Sequence, residues 1–343
     1  MRKLILALLI LTTGCAKDLA GQKLPLTDYH DLNRPVMQYL GVGGWLIQWK
    51  DEDLLLAPSF TNPSFLRSVP IRTVADHAKI DWLMPKARNI TMILIGHGHY
   101  DHLLDVPWIM QRHAKNAKAY GSQTVGNLIG RSVPGRFVNA EGAMAKVVYK
   151  NTDDGYTTPG TWIYSTNRRF RAMPIESQHA PHLFGITFFG GPQPTALSSP
   201  PSFVWQWKEG QTLAWLIDLL DENQKPIYRI HYQDSASRAP YGIPPLLGDN
   251  KGIDVVILCV GSWENVPPYP DDLLRVTRPR VVVMGHWEDF FGNDPANPQT
   301  IPLTDEPAMV RAVLRVVPTG TPVLMPTPFS EVEMPQPTEL SSP

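Results

Sequence analysis

Ten residues constrain this chain more than any others: Ile93-Leu94-Ile95-Gly96-His97-Gly98-His99-Tyr100-Asp101-His102. An apolar run from Met92 to Ile95 reads as a buried strand, and it empties into four metal-capable side chains within six residues. On extended backbone, side chains two apart point the same way, so His97 and His99 can grip one ion together. Asp101 and His102 come after the chain has begun to turn and can face a second ion beside the first. Gly96 and Gly98 remove side chains where the backbone must bend tightly around such a site. The pattern predicts a site for two metals whose remaining ligands come from elsewhere in the chain.

The rest of the sequence narrows the setting. Its 343 residues, 43% hydrophobic and 18% charged, suffice for one large or two small globular domains. With 31 basic and 32 acidic residues and a net charge of -1, it lacks the basic excess of a nucleic-acid binder. The 34 prolines and 25 glycines argue against a long-helix bundle.

The N-terminus has the form of a targeting segment. Arg2 and Lys3 precede an apolar run from Leu4 to Leu11, followed by Thr12-Thr13-Gly14-Cys15. The run is too short to span a bilayer. The cysteine after small residues resembles a bacterial lipobox, although Thr12 stands where that motif usually has leucine. Residues 1–14 are therefore expected to be a lipoprotein-type signal peptide, 15–34 a tether, 35–333 the folded domain and 334–343 a disordered tail. Attachment to a membrane through lipidated Cys15 would place the protein in the bacterial cell envelope, facing the periplasm; without lipidation it would be secreted. The second cysteine, Cys259, lies in an apolar run and is expected in the core, so no disulfide framework holds the fold.

Read in order, Met37–Leu40, Trp45–Trp49 and Leu54–Leu56 form a strand meander. After the histidine cluster, Asp105 is placed to cap a helix running to about His113, with Pro107 in its first turn. Ala119–Ser122 is read as a strand handing over to a helix through Leu128. Residues 132–160 are expected to be loop-rich. Trp162–Tyr164 and Phe170–Ile175 read as strands, the second at an edge or bulged because of Pro174. Gly190–Pro201 is expected to be a mobile flap. Strands are then read at Val204–Trp207, Thr212–Leu219, Ile227–Tyr232, Asp254–Val260 and Val281–Met284, with a helix from Asp271 to Val276. Alternating strands and helices indicate a layered α/β domain.

Three later residues share a setting with the cluster. His179, Asp234 and His286 each follow the C-terminal end of an apolar strand, where layered α/β folds place their chemistry. His-x-His-x-Asp-His followed by these three, over roughly residues 37 to 330, resembles the metallo-β-lactamase superfamily. The resemblance implies a four-layer αβ/βα sandwich with two metals between the sheet edges. His97, His99 and His179 would hold the first metal, Asp101, His102 and His286 the second, and Asp234 would bridge them. Imidazole and carboxylate suit zinc, with iron or manganese also compatible. Two adjacent cations lower the pKa of a shared water and so provide hydroxide at neutral pH.

The expected activity is binuclear hydrolysis of a phosphodiester, including phospholipid-like substrates, with Asp101, Asp234 and His182 as the catalytic side chains. His182 would donate a proton or bind an oxyanion. Gly-Gly-Trp-Leu-Ile, Ser-Gln-His and Gly-His-Trp-Glu look closest to the branch holding N-acyl-phosphatidylethanolamine phospholipase D and ascorbate-phosphate lactonase. A lactone or other ester is the alternative substrate, and a non-catalytic metal-binding envelope protein the alternative class. Two departures bear on this: Ala57 replaces a usual aspartate, and Gln233 replaces the usual glycine before Asp234, where it would crowd the site or contact substrate. Trp263, Trp287, Phe290 and Phe291 follow strand ends and would line an apolar pocket or pack in the core. His231, three residues before Asp234, is expected to face away as a structural residue. Tyr100, His30, His77 and His113 receive no role.

Overall fold

The computed structural model describes residues 34–63, 72–151, 154–182, 185–292 and 294–337. The signal segment, Cys15, His30 and the last six residues lie outside the described residues.

The first sheet begins with the expected meander: β1 (Val36–Gly41), β2 (Gly44–Trp49) and β3 (Glu52–Leu56), joined antiparallel. It continues in parallel through β4 (Ile90–Leu94), β5 (Lys118–Gly121) and β6 (Phe137–Asn139). A hairpin, β7 (Lys146–Tyr149) and β8 (Gly155–Thr158), follows. The second sheet repeats the logic. β9 (Ile163–Tyr164), β10 (Phe170–Ser177), β11 (Thr212–Leu220) and β12 (Pro226–Tyr232) pair antiparallel. β13 (Val255–Cys259), β14 (Val281–Gly285) and β15 (Val323–Leu324) then add in parallel. Finally β16 (Glu331–Val332) returns to pair with β1.

Period-two alternation explains why the strands are apolar on both faces. Met92 and Leu94 of β4 join the core between the sheets with Leu54, Leu56, Trp45 and Trp215. Ile90, Ile93 and Ile95 instead meet helices Val106–Arg112 and Gln123–Ile129 in a second core. Helices Asp271–Thr277 and Glu306–Val316 bury Leu274 and Val313 in the larger core. This is the expected αβ/βα sandwich. Because β11 runs against both its neighbours, β10, β12, β13 and β14 all point one way and their C-terminal ends share a rim.

Several local expectations differ from the structure. Residues 132–160 carry β6 and the β7–β8 hairpin rather than only loops. Val204–Gln206 is a 3-10 turn, because Gln206 Oε1 accepts from the Ser202 and Phe203 amides and closes the chain on itself. Pro174 sits inside β10 beyond its β9 pairing, and the Ala145 bridge beside it is made through the Pro174 carbonyl and the Glu176 amide, so the missing Pro174 N–H is not needed there. Asp105 stands at the start of its helix but caps nothing there; its carboxylate accepts from the Phe60 and Thr61 amides at 2.6 and 2.7 Å. The segment 190–201 is pinned to helix Gln123–Ile129, with Leu197 N donating to Asn127 O and Asn127 Nδ2 to Gln193 O, both at 2.7 Å. Helices His77–Leu83 and Glu306–Val316 add to those expected. At the C-terminus Met334 is buried and Arg280 donates to Gln336 O, so packing continues beyond residue 333.

Candidate metal centre

The rim assembles the site. β4 continues through Ile95 and Gly96 into His97, and the chain turns at His99 into a short helix, Tyr100–Leu103, that carries Asp101 and His102. His179 follows β10, Asp234 follows β12 and His286 follows β14. Leu213 N donates to Gly96 O at 2.8 Å, tying the start of β11 to the motif.

Gly96 and Gly98 serve close approach rather than a left-handed turn, since neither has positive φ. A Cβ on Gly96 would lie 2.1 Å from Asp234 Oδ2, and one on Gly98 would lie 2.2 Å from the Lys208 carbonyl. A Cβ on Gly43 would meet His102 Nδ1 at 2.7 Å.

The side chains fall into trios whose nitrogen and oxygen atoms lie within 4.8 Å of one another: His97/His99/His179, Asp101/His102/His286 and His97/His102/Asp234. In the first, ring centroids sit 4.7, 4.6 and 4.7 Å apart. In the second, His102 Nε2 and His286 Nε2 are 3.1 Å apart and each is 3.3 Å from Asp101 Oδ2. A tetrahedral cation with bonds of about 2.0–2.1 Å requires ligand edges of about 3.3 Å, so this triangle fits one. Asp234 touches one member of each trio, with Oδ2 2.6 Å from His97 Nδ1 and Oδ1 3.0 Å from His102 Nδ1.

Electrostatics agrees with cation binding. Burial, aided by neighbouring imidazoles, holds His99 and His179 well below the usual histidine range, leaving them neutral with lone pairs available. His97 Nε2 and His99 Nε2 are buried without a hydrogen-bond partner. His179 Nδ1 donates to Ala180 O at 2.6 Å, which leaves Nε2 as its free donor atom. His102 behaves differently. Burial pushes it down, but the Asp234 and Asp101 carboxylates outweigh that and raise it to about 10. Burial likewise opposes ionisation of Asp101 and Asp234, and the adjacent histidines overcome it. Two buried carboxylates converging on imidazoles form a donor set that a divalent cation would satisfy.

His182 stacks on His179 at 4.7 Å, and its Nδ1 accepts from Phe188 N at 3.0 Å, placing its proton on Nε2. Burial lowers its pKa to about 4. Gln233 does not crowd the cluster: strand alternation turns it away from Asp234, and Nε2 donates to Ser237 Oγ. His231 likewise faces away and bonds the Gly242 carbonyl. Trp287 is core, donating to Pro326 O, and Trp263 packs against the larger core. Phe290 lies 5.5 Å from His286, and Phe291 6.0 Å from Tyr100. Across the cluster, Phe188 lies 5.4 Å from His182 and Phe189 6.3 Å from His99.

Ala57 offers no carboxylate to the cluster, and the ligands are supported by residues outside the motif. Tyr232 donates to Asp234 Oδ1 and sits 2.9 Å from Gly43 O. Tyr39 contacts Glu288, whose pKa burial raises to about 7. Tyr232 was legible, two residues before Asp234 on the same strand face; Tyr39 and Glu288 meet only in the folded chain.

A family profile described as the beta-lactamase superfamily domain matches residues 61–287. No curated protein sequence matches. Among solved structures, a variant of CmlA, the diiron β-hydroxylase of Streptomyces venezuelae, is 12% identical with a TM-score of 0.50, over 90% of this chain and 55% of its own. Igni18, a metallo hydrolase of the archaeon Ignicoccus hospitalis, is 15% identical with a TM-score of 0.49, over 88% of this chain and 98% of its own. An isothiocyanate hydrolase from Delia radicum gut bacteria is 12% identical with a TM-score of 0.47, over 87% and 99%.

Proposed function

The chain belongs to the β-lactamase superfamily, in its metallo-β-lactamase fold, and from that premise we propose that it is a two-cation hydrolase. His97, His99 and His179 would hold one cation and Asp101, His102 and His286 the other, with Asp234 in contact with a member of each trio. The observation that carries this reading is the fit of the Asp101/His102/His286 triangle to a cation's coordination edges beside the converging imidazoles of His97, His99 and His179. Bound there, divalent cations supply a water nucleophile at neutral pH and a Lewis acid for developing charge. The nitrogen and oxygen donors suit zinc, and also iron or manganese. The protein's own groups do the rest. Asp234 and Ala180 O orient His97 and His179, and neutral His182 offers its Nε2–H as a hydrogen bond to a substrate oxygen.

The substrate we propose is a phosphodiester of an amphiphilic molecule. Aromatic pairs on both sides of the cluster, Phe188/Phe189 and Phe290/Phe291, support apolar groups flanking the scissile bond. These walls also favour a second reading, a lactone or other carboxylic ester, whose acyl group is neutral. Lipidation of Cys15 would hold such an enzyme at a membrane surface in the cell envelope.

Metal analysis of the purified protein, with assays on an aryl phosphodiester and an aryl lactone, tests this. Two cations per chain and phosphodiester cleavage lowered by about 10²-fold or more in His99→Ala are expected. Absence of bound metal after zinc and iron supplementation would overturn the reading, and lactone cleavage alone would shift it to the ester.

A further inference from the structure

We propose that Glu288 is a positioning residue for His286, and through it for the second cation; the proposal rests on the two-cation reading above. His286 has a φ of 53°, left-handed backbone that a residue with a β-carbon adopts only when its surroundings hold it there. The hold comes from the other sheet. His286 N donates to Val42 O at 2.9 Å and lies 2.9 Å from the Tyr39 hydroxyl. Glu288 closes the frame: Oε1 accepts from Val42 N at 3.2 Å, and Oε2 accepts from Tyr39. Between the two, Trp287 is fully buried and anchored to Pro326 O, which turns His286 and Glu288 toward the Tyr39–Gly43 segment.

That segment touches the second position again. The Tyr232 hydroxyl, which donates to Asp234, lies 2.9 Å from Gly43 O, and Gly43 packs so closely on His102 that a Cβ would lie 2.7 Å from Nδ1. By contrast, His179 takes its orientation from the adjacent Ala180 carbonyl and His97 from Asp234. The Glu288 clamp therefore acts on one cation position, and a residue serving only the fold would affect both alike.

Titration of the full-length protein with Co(II), followed by its visible spectrum and by metal stoichiometry, separates these roles. Wild type is expected to bind two equivalents. Glu288→Ala should bind the first with unchanged affinity and the second about 10–100-fold more weakly, the usual cost of losing a group that orients a ligand. Glu288→Gln should restore the second. Its amide oxygen can accept from Val42 N, and its N–H can donate to the Tyr39 oxygen, whose own proton turns to Val42 O 3.0 Å away. Tyr39→Phe should fall between, and it decides the matter by the same criterion if Glu288→Ala does not fold. Equal weakening of both equivalents, or none, in wild-type-like folded variants overturns the clamp alone. A wild type that binds no metal overturns the two-cation reading and this proposal with it.

Discussion

In the first sheet, four candidate ligands leave one strand between His97 and His102, whereas in the second, His179, Asp234 and His286 leave three strands. The first set is fixed by a single course of backbone, and Gly96 and Gly98 let Asp234 and the Lys208 carbonyl approach it closely. Each member of the second set has its own support: a neighbouring carbonyl for His179, Tyr232 for Asp234, and Tyr39 with Glu288 for His286. The concentrated set should fail as a unit, while His179 and His286 in the dispersed set should fail one position at a time; Asp234, which touches a member of each trio, is the exception.

Gly96→Ala tests the unit. Its Cβ would fall about 2 Å from three atoms of Asp234, a carboxylate already held by Tyr232, His97 and His102. We expect loss of both metal equivalents and a fall in hydrolysis of roughly 10²–10³-fold or more, the scale of removing a principal charge-stabilising group. Asp234→Ala should match it, because Asp234 touches both trios. A Gly96→Ala protein that keeps both cations would contradict the close approach. His179→Ala tests the other half of the comparison. It should lose one equivalent and retain the other, with activity down by about 10²-fold; stoichiometry decides, and loss of both would merge the two positions. Tyr232→Phe is milder. It removes one strut from a carboxylate that keeps its histidine partners, so metal affinity should fall about 10-fold and stability by about 1–2 kcal/mol, read by titration and chemical unfolding.

The same contrast explains what could be seen in the sequence. His97 to His102 is legible because its chemistry lies within six residues, and the meander, β4 and β14 because apolar runs of strand length are local signals. The struts are not. Tyr39 and Glu288 are separated by 249 positions and meet across two sheets. Asp105 has the position of a helix cap, yet its carboxylate serves Phe60 and Thr61 instead, a choice settled by packing between distant segments. Val204–Trp207 has strand-like composition, but the local bonds of Gln206 close it into a turn. Gln233 is identifiable as a departure from the family pattern; that it points to Ser237 follows from the strand's alternation.

His231 gives the smallest test, separating the electrostatics of the fold from that of the site. It lies on β12 three residues before Asp234, but bonds the Gly242 carbonyl at 2.8 Å, away from the rim. Burial lowers its pKa from 6.5 to about 4. As pH falls through 6.5 the unfolded chain takes up a proton that the folded one refuses until about 4. The stabilisation is therefore complete above 6.5, drains away between the two values and stays lost below them, a change of about 3 kcal/mol. His231→Gln can still donate to Gly242 but cannot titrate. Metal-free wild type and variant should differ in unfolding free energy by a pH-dependent amount confined to that window, since every other histidine is common to both and cancels. Cation stoichiometry should be identical in the two proteins. Parallel stability curves would show that His231 is not held neutral, and a changed stoichiometry would tie it to the rim.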